Sequence, residues 1–167
     1  MILAFDTYYF EDKAKTACLC FQNWEDATPL KILTETLEGI AEYEPGSFYK
    51  RELPCILSLL KTVNLKEVEY IVIDGFVVLD DNGKAGLGAY LYKSLEEKVP
   101  VIGVAKSSFH QNEKFVRALL RGESQKPLYI TSAGIGPDDA CKFIRRMSGK
   151  YRMPDLLRMV DQVGREV

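Results

Sequence analysis

Two nearly continuous apolar runs, residues 68–78 and 99–105, stand on either side of a segment whose apolar residues recur at helical spacing. Such runs belong to strands covered on both faces, because a strand with one wet face alternates. Between them Leu87, Tyr90, Leu91 and Leu95 share one helical face, so a strand, a helix and a second, parallel strand are expected, joined by a right-handed crossover. That unit places the chain in the α/β class.

Upstream, residues 1–6, 16–22 and 30–37 read as three strands, with loop signals at Glu11-Asp12 and over residues 23–26. An up-down-up antiparallel arrangement is the economical one. Residues 42–48 contain Tyr-Glu-Pro-Gly and are not expected to be regular helix, since proline removes a donor and the glycine after it favours a turn. Pro54, Ile56, Leu57, Leu59, Leu60 and Val63 then predict a helix over about 53–63 with the proline in its first turn. Residues 115–120 and 127–131 read as a hairpin, and helices are expected over 137–147 and 155–165. Three antiparallel strands, a helix and a parallel βαβ unit, flanked by helices, is the layout of a ribonuclease H-like mixed sheet, a layout shared with other mixed α/β folds.

With 167 residues, 47% hydrophobic and 28% charged, the chain is expected to form a single domain over 1–167. No apolar run approaches the roughly 20 residues of a membrane span. Met1 leads into a strand without a basic leader or cleavage site, so a cytoplasmic location and no membrane partner are expected. The four cysteines have no zinc-like spacing and read as reduced, buried thiols, with Cys18 and Cys20 on one strand face and Ala17, Leu19 and Phe21 on the other. Net charge is −2, against strong nonspecific nucleic-acid binding, yet residues 1–100 hold 10 Lys and Arg against 17 Asp and Glu while residues 101–167 hold 12 against 7. The basic third reads either as phosphate contacts beside an acidic site or as solvated helix faces.

Three acidic residues gain meaning from this layout. Asp6 ends the first apolar strand, Asp74 ends the apolar stretch of residues 70–73, and Glu52 opens the first helix. An α/β fold would bring three hard oxygens together there, suited to a divalent cation. Strand-end aspartates also serve as caps and turn residues, and a glutamate in a first helical turn is favoured by the helix dipole alone.

Four longer words are more specific. They are Tyr43-Glu-Pro-Gly-Ser-Phe-Tyr-Lys-Arg-Glu-Leu-Pro54, Val72-Ile-Asp-Gly75, Pro100-Val-Ile-Gly-Val-Ala-Lys-Ser107 and Tyr151-Arg-Met-Pro-Asp-Leu-Leu-Arg158 with Asp161. In this order, and over nearly the whole chain, they resemble the words of the endonuclease V family. The resemblance implies a nuclease that recognises deaminated purine, chiefly inosine, in DNA or RNA and cuts a phosphodiester on its 3′ side with Mg²⁺ or Mn²⁺, in DNA repair or inosine-RNA processing. No obligate protein partner is implied.

By the same resemblance Asp6, Glu52 and Asp74 match the family's metal ligands, and Lys106 its active-site lysine, with Ser107 beside it as a phosphate donor. Tyr43, Pro45 and Gly46 match a wedge that parts the strands, while Gly46, Phe48, Gly86 and Gly103 fall near positions that line the pocket for the turned-out base. Each has an ordinary reading too: a solvated lysine, a rigid turn, close-packing glycines.

The chain departs from the family in two words. Asp80-Asp81-Asn82 stands where a histidine word is usual, and Ile135 replaces a histidine after the late strand. Isoleucine neither binds metal nor moves protons. His110, the one histidine, matches no family position and reads as a solvated loop residue, while Asp138 or Asp139 offers a substitute oxygen. The family's N-terminal helical extension is not seen, and residues 106–127 form a shortened stretch, which together favour weaker or narrower binding. A binding protein on the same scaffold without turnover is therefore the competing expectation. A third is an unrelated small-molecule enzyme using the glycines of residues 83–88, although these lack the order of a dinucleotide-binding loop.

Overall fold

The computed structural model describes residues 1–40, 45, 48–108 and 111–167. Its centre is a seven-stranded mixed sheet in the order β3-β2-β1-β4-β5-β7-β6. Strands β1 (Ile2–Phe10), β2 (Lys13–Phe21) and β3 (Lys31–Glu38) form the expected antiparallel meander. Helix α1 (Phe48–Leu60) follows, then β4 (Tyr70–Asp74), α2 (Leu87–Ser94) and β5 (Val101–Ala105). β4 lies parallel to both β1 and β5, so the crossover unit forms where the apolar runs placed it. β6 (Arg117–Leu119) and β7 (Leu128–Ala133) pair antiparallel, and α3 (Pro137–Arg146) and α4 (Asp155–Arg165) close the fold.

Alternation along the strands divides the core in two. Ile2, Ala4, Leu19, Phe21, Val72 and Ile102 pack with Ile144, Leu156 and Val160 of α3 and α4. Leu3, Phe5, Cys18, Cys20, Ile71 and Ile73 pack on the other side with Ile56, Leu59 and Leu91 of α1 and α2. Cys18 and Cys20 thus share a face opposite Ala17, Leu19 and Phe21, and all four cysteines are buried free thiols.

Three expectations need correction. β1 does not stop at Asp6, because Thr7 to Phe10 continue the hairpin with β2; what ends there is its pairing with β4, whose last partners are Phe5 and Ile73. The first helix begins at Phe48, which leaves Pro54 in its interior and Glu52 beyond its first turn. Burial of Ile56, Leu59 and Leu60 holds that helix, with the proline ring exposed on its outer side. The apolar run 68–78 supplies only five strand residues, because Gly75 takes φ +123° and turns the chain; Val77 is buried in the loop beyond, its N–H donating to Thr131 Oγ1 at 2.8 Å.

Candidate functional site

The site lies where β1 and β4 part. Phe5 pairs with Ile73, so Asp6 and Asp74 occupy the next positions on neighbouring parallel strands. Asp74 is opposite Val104 on β5, and Lys106 follows that strand, exposed. A crevice at the carboxyl ends of parallel strands is the usual place for ligands in such sheets. The Asp-Gly word has a local cause: Gly75 makes the turn, and its N–H donates to the Val104 carbonyl at 3.0 Å, holding Asp74 at the rim. Gly103 is needed for the same packing, since a Cβ there would stand 2.6 Å from the Gly75 oxygen and 2.8 Å from Thr131 Oγ1.

Two cavities share Asp6, Asp74 and Lys106. The first, of about 500 Å³, opens between α1 and the loop after β4 and is lined by Thr7, Tyr9, Tyr49, Glu52, Phe76 and Gly86. The second, of about 360 Å³, lies toward α4 and takes in Tyr151, Arg152, Leu157, Arg158 and Asp161. Glu52 therefore approaches the strand-end pair from one face of the sheet, and Asp161, on α4, from the other. Sequence reasoning quoted Asp161 without giving it a role. Its signal is its position on an amphipathic helix whose buried face carries Leu156 and Val160.

Crowding of like charges in a concave site dominates the electrostatics. Burial, then a hydrogen bond with the Asp161 carboxylate, then repulsion from Asp74 push the Asp6 carboxyl up to about 8. The Thr7 N–H, donating to Asp6 Oδ1 at 3.0 Å, opposes this. Glu52 is likewise pushed up to about 8, by burial first and then by Asp6 and Asp74. Asp74 is raised chiefly by burial, with Lys106 pulling the other way; its carboxylate touches solvent, but from the floor of a concavity. Burial also acts to raise Asp161, yet its hydrogen bonds with Asp6 and Arg165 outweigh this and leave it below the ordinary carboxylate range. The shared hydrogen bond thus raises the Asp6 carboxyl and lowers that of Asp161.

The donor set suits a hard divalent cation: Asp6 and Asp74 between the two cavities, with Glu52 in the larger and Asp161 in the smaller, supply carboxylate oxygens. Among the described residues no three His, Cys, Asp or Glu side chains stand together as a ready ligand group.

The other expected residues are placed unevenly. Gly86 lines the larger cavity and precedes α2, where a Cβ would stand 2.5 Å from the Phe76 oxygen. Gly103 is buried inside β5 and is not among the residues lining either cavity, and the space of its absent side chain is filled by Gly75 and Thr131 rather than left open. Pro45 is an exposed turn residue, and Phe48 begins α1. Tyr43, Gly46 and His110 lie outside the described residues. Asp80 Oδ1 accepts the N–H groups of Asn82 and Lys84, Asp81 Oδ1 those of Glu113 and Lys114, and Ile135 packs against the α3/α4 core. Asp138 pairs with Arg117 at 2.7 Å on the surface of α3 and lines neither cavity.

The Endonuclease V family profile matches residues 1–162. Endonuclease V of Trichormus variabilis is 27% identical over 141 residues, 73% of this chain and 62% of that protein. Endonuclease V of Thermus thermophilus is 27% identical over 154 residues, 78% of this chain and 66% of that protein, so the chain spans less than two thirds of the length of these relatives. In structure, Ciona intestinalis endonuclease V, bound to a 24mer DNA containing an inosine followed by a ribo-adenosine, aligns with TM-score 0.80 and 19% identity over 99% of this chain and 84% of that one. Human ENDOV aligns with TM-score 0.80 and 20% identity over 99% and 82%. These structures share the fold, a ribonuclease H-like mixed sheet.

Proposed function

Since the chain belongs to the endonuclease V family, we propose that it is a metal-dependent endonuclease that recognises inosine in DNA or RNA and hydrolyses a phosphodiester on its 3′ side. The observation that carries this reading is that Asp6, Asp74 and Lys106 line both cavities, with Glu52 added in the larger one and Asp161 in the smaller. Asp6, Glu52 and Asp74 would hold Mg²⁺ or Mn²⁺, with Asp161 on α4 lining the adjoining cavity. The bound cation supplies an activated water and stabilises the leaving 3′ oxygen.

The remaining steps belong to the chain. Lys106 holds the scissile phosphate from the strand-end loop, where its ammonium offsets charge developing on the phosphoryl oxygens. The larger cavity, at about 500 Å³ with Tyr9, Tyr49 and Phe76 on its walls, admits a flat purine turned out of its strand. Gly86 presents backbone there instead of a side chain. Asp161, hydrogen-bonded to Asp6, keeps that carboxyl group oriented. The products carry a 5′-phosphate and a 3′-hydroxyl.

End-labelled single strands with one inosine, beside adenosine controls in DNA and RNA, test the reading. Cutting confined to the inosine strands, with those end groups, supports it. Binding of inosine strands without cutting in Mg²⁺ or Mn²⁺ would favour a noncatalytic binding protein, in line with Asp80 serving its own turn and Ile135 serving the core.

A further inference from the structure

The smaller cavity carries an unused feature. Tyr151, 53% exposed, stands on its rim with the Arg158 guanidinium 5.1 Å and the Lys150 ammonium 5.4 Å from its ring centre. An exposed aromatic ring is ordinarily loose, but this one sits on a loop built for rigidity. Arg121, only 6% exposed, donates from Nη1 to the carbonyls of Tyr151 at 2.6 Å and Arg152 at 3.3 Å. Its Nη2 donates to those of Met147 at 2.7 Å and Gly149 at 3.1 Å. Gly122, at φ +62°, passes so close to the Lys150 carbonyl that a side chain would collide with it. The same loop is tied to the reaction centre, for Arg152 Nη2 donates to the Lys106 carbonyl and, at 2.6 Å, to that of Pro127.

A buried arginine that spends its donors on one loop fixes the position of whatever that loop displays. Here it displays a half-exposed aromatic ring, with two cations over it, next to the carboxylate floor. Stacking rings flanked by basic groups are how proteins hold single-stranded nucleic acid without reading its sequence. Since the larger cavity takes the turned-out base, the smaller one is left for the strand beyond the cut.

We propose that Tyr151 is a stacking platform for a nucleotide on the 3′ side of the cleaved phosphodiester, with Arg158 and Lys150 holding the neighbouring phosphates. This rests on the nuclease reading given above. The platform sets how long a strand must be past the cut, and through Arg152 it holds the segment that presents Lys106.

Inosine strands ending at successive positions past the cut test it, with wild type, Tyr151→Ala, Tyr151→Phe and Tyr151→Trp. The wild-type to Tyr151→Ala ratio of kcat/KM is expected to rise with strand length to about 10-fold, the scale of one lost base stack, while Phe and Trp restore cutting. A ratio that stays at one, or that is the same at every length, overturns the platform alone. If wild type cuts no strand, affinity for an unmodified single strand decides instead: about a 10-fold loss in Tyr151→Ala, restored by Phe, supports the platform while the nuclease reading fails. Equal affinity in the two proteins, or no binding by wild type, overturns the platform as well.

Discussion

Asp6 and Glu52 are carboxyl groups that hold their protons well above the ordinary carboxylate range. Both are raised to about 8 by burial and by neighbouring carboxylates. Cation binding at these residues is therefore expected to release protons, and affinity for Mg²⁺ to strengthen as pH rises toward about 8. Calorimetry in two buffers of different ionisation enthalpy measures that release. The same shifts act on stability without metal. The folded chain keeps protons that the unfolded chain gives up near ordinary carboxylate values, so stability is full at acid pH and falls as pH rises through about 8. The melting temperature of the metal-free protein is expected to drop by a few degrees between pH 5 and pH 8, and Glu52→Gln to shallow that drop. A flat profile in wild type would mean that the crowding of carboxylates is relieved in solution.

Elements hold these residues by close backbone approaches. In Gly103→Ala the new Cβ would stand 2.6 Å from the Gly75 oxygen, so β5 and the Asp74 turn must separate. The cost is about 1–3 kcal/mol, read as a lower midpoint in denaturant, with weaker cutting because Asp74 moves. Arg121→Met is expected to cost about 3 kcal/mol, since it strips the carbonyls of residues 147, 149, 151 and 152 of a charged donor in a buried setting. The parallel unit was legible in the sequence because both runs are apolar on both faces, and the meander because Cys18 and Cys20 alternate with Leu19 and Phe21. The start of α1 was not, since turn chemistry at Pro45 and Gly46 and the position of Pro54 hid a helix that tertiary packing stabilises. Asp6, Glu52, Asp74 and Lys106 were placed together by strand order and family words, whereas Asp161 required knowing which face of α4 meets β1. Gly103 could not be told from a pocket glycine, because only the neighbouring strand shows that Gly75 fills its space.

At the scale of the molecule, the charge division found along the chain corresponds to two sides of one site. The acidic first hundred residues supply Asp6, Glu52 and Asp74, and the basic remainder supplies Lys106 and Arg158, with Lys150 beside Tyr151 at the rim. A net charge of −2 leaves little general attraction for nucleic acid, so under the proposed function strand binding would rest on these few cations. Affinity for a single strand is accordingly expected to fall with salt at a log–log slope of about −2, the value for roughly three phosphate contacts, and a slope near zero would rule out phosphate contacts as the source of binding. The account as a whole depends on the carboxylates at the parting of β1 and β4 acting through a divalent cation on an inosine strand. The most direct measurement is the rate of cutting an inosine strand across a Mg²⁺ titration, for wild type and Asp74→Ala. The account predicts a saturable Mg²⁺ dependence in wild type and a fall of about a thousandfold or more in the variant, several kcal/mol of lost transition-state stabilisation. Cutting that persists without divalent cation, or that Asp74→Ala leaves intact, would contradict it.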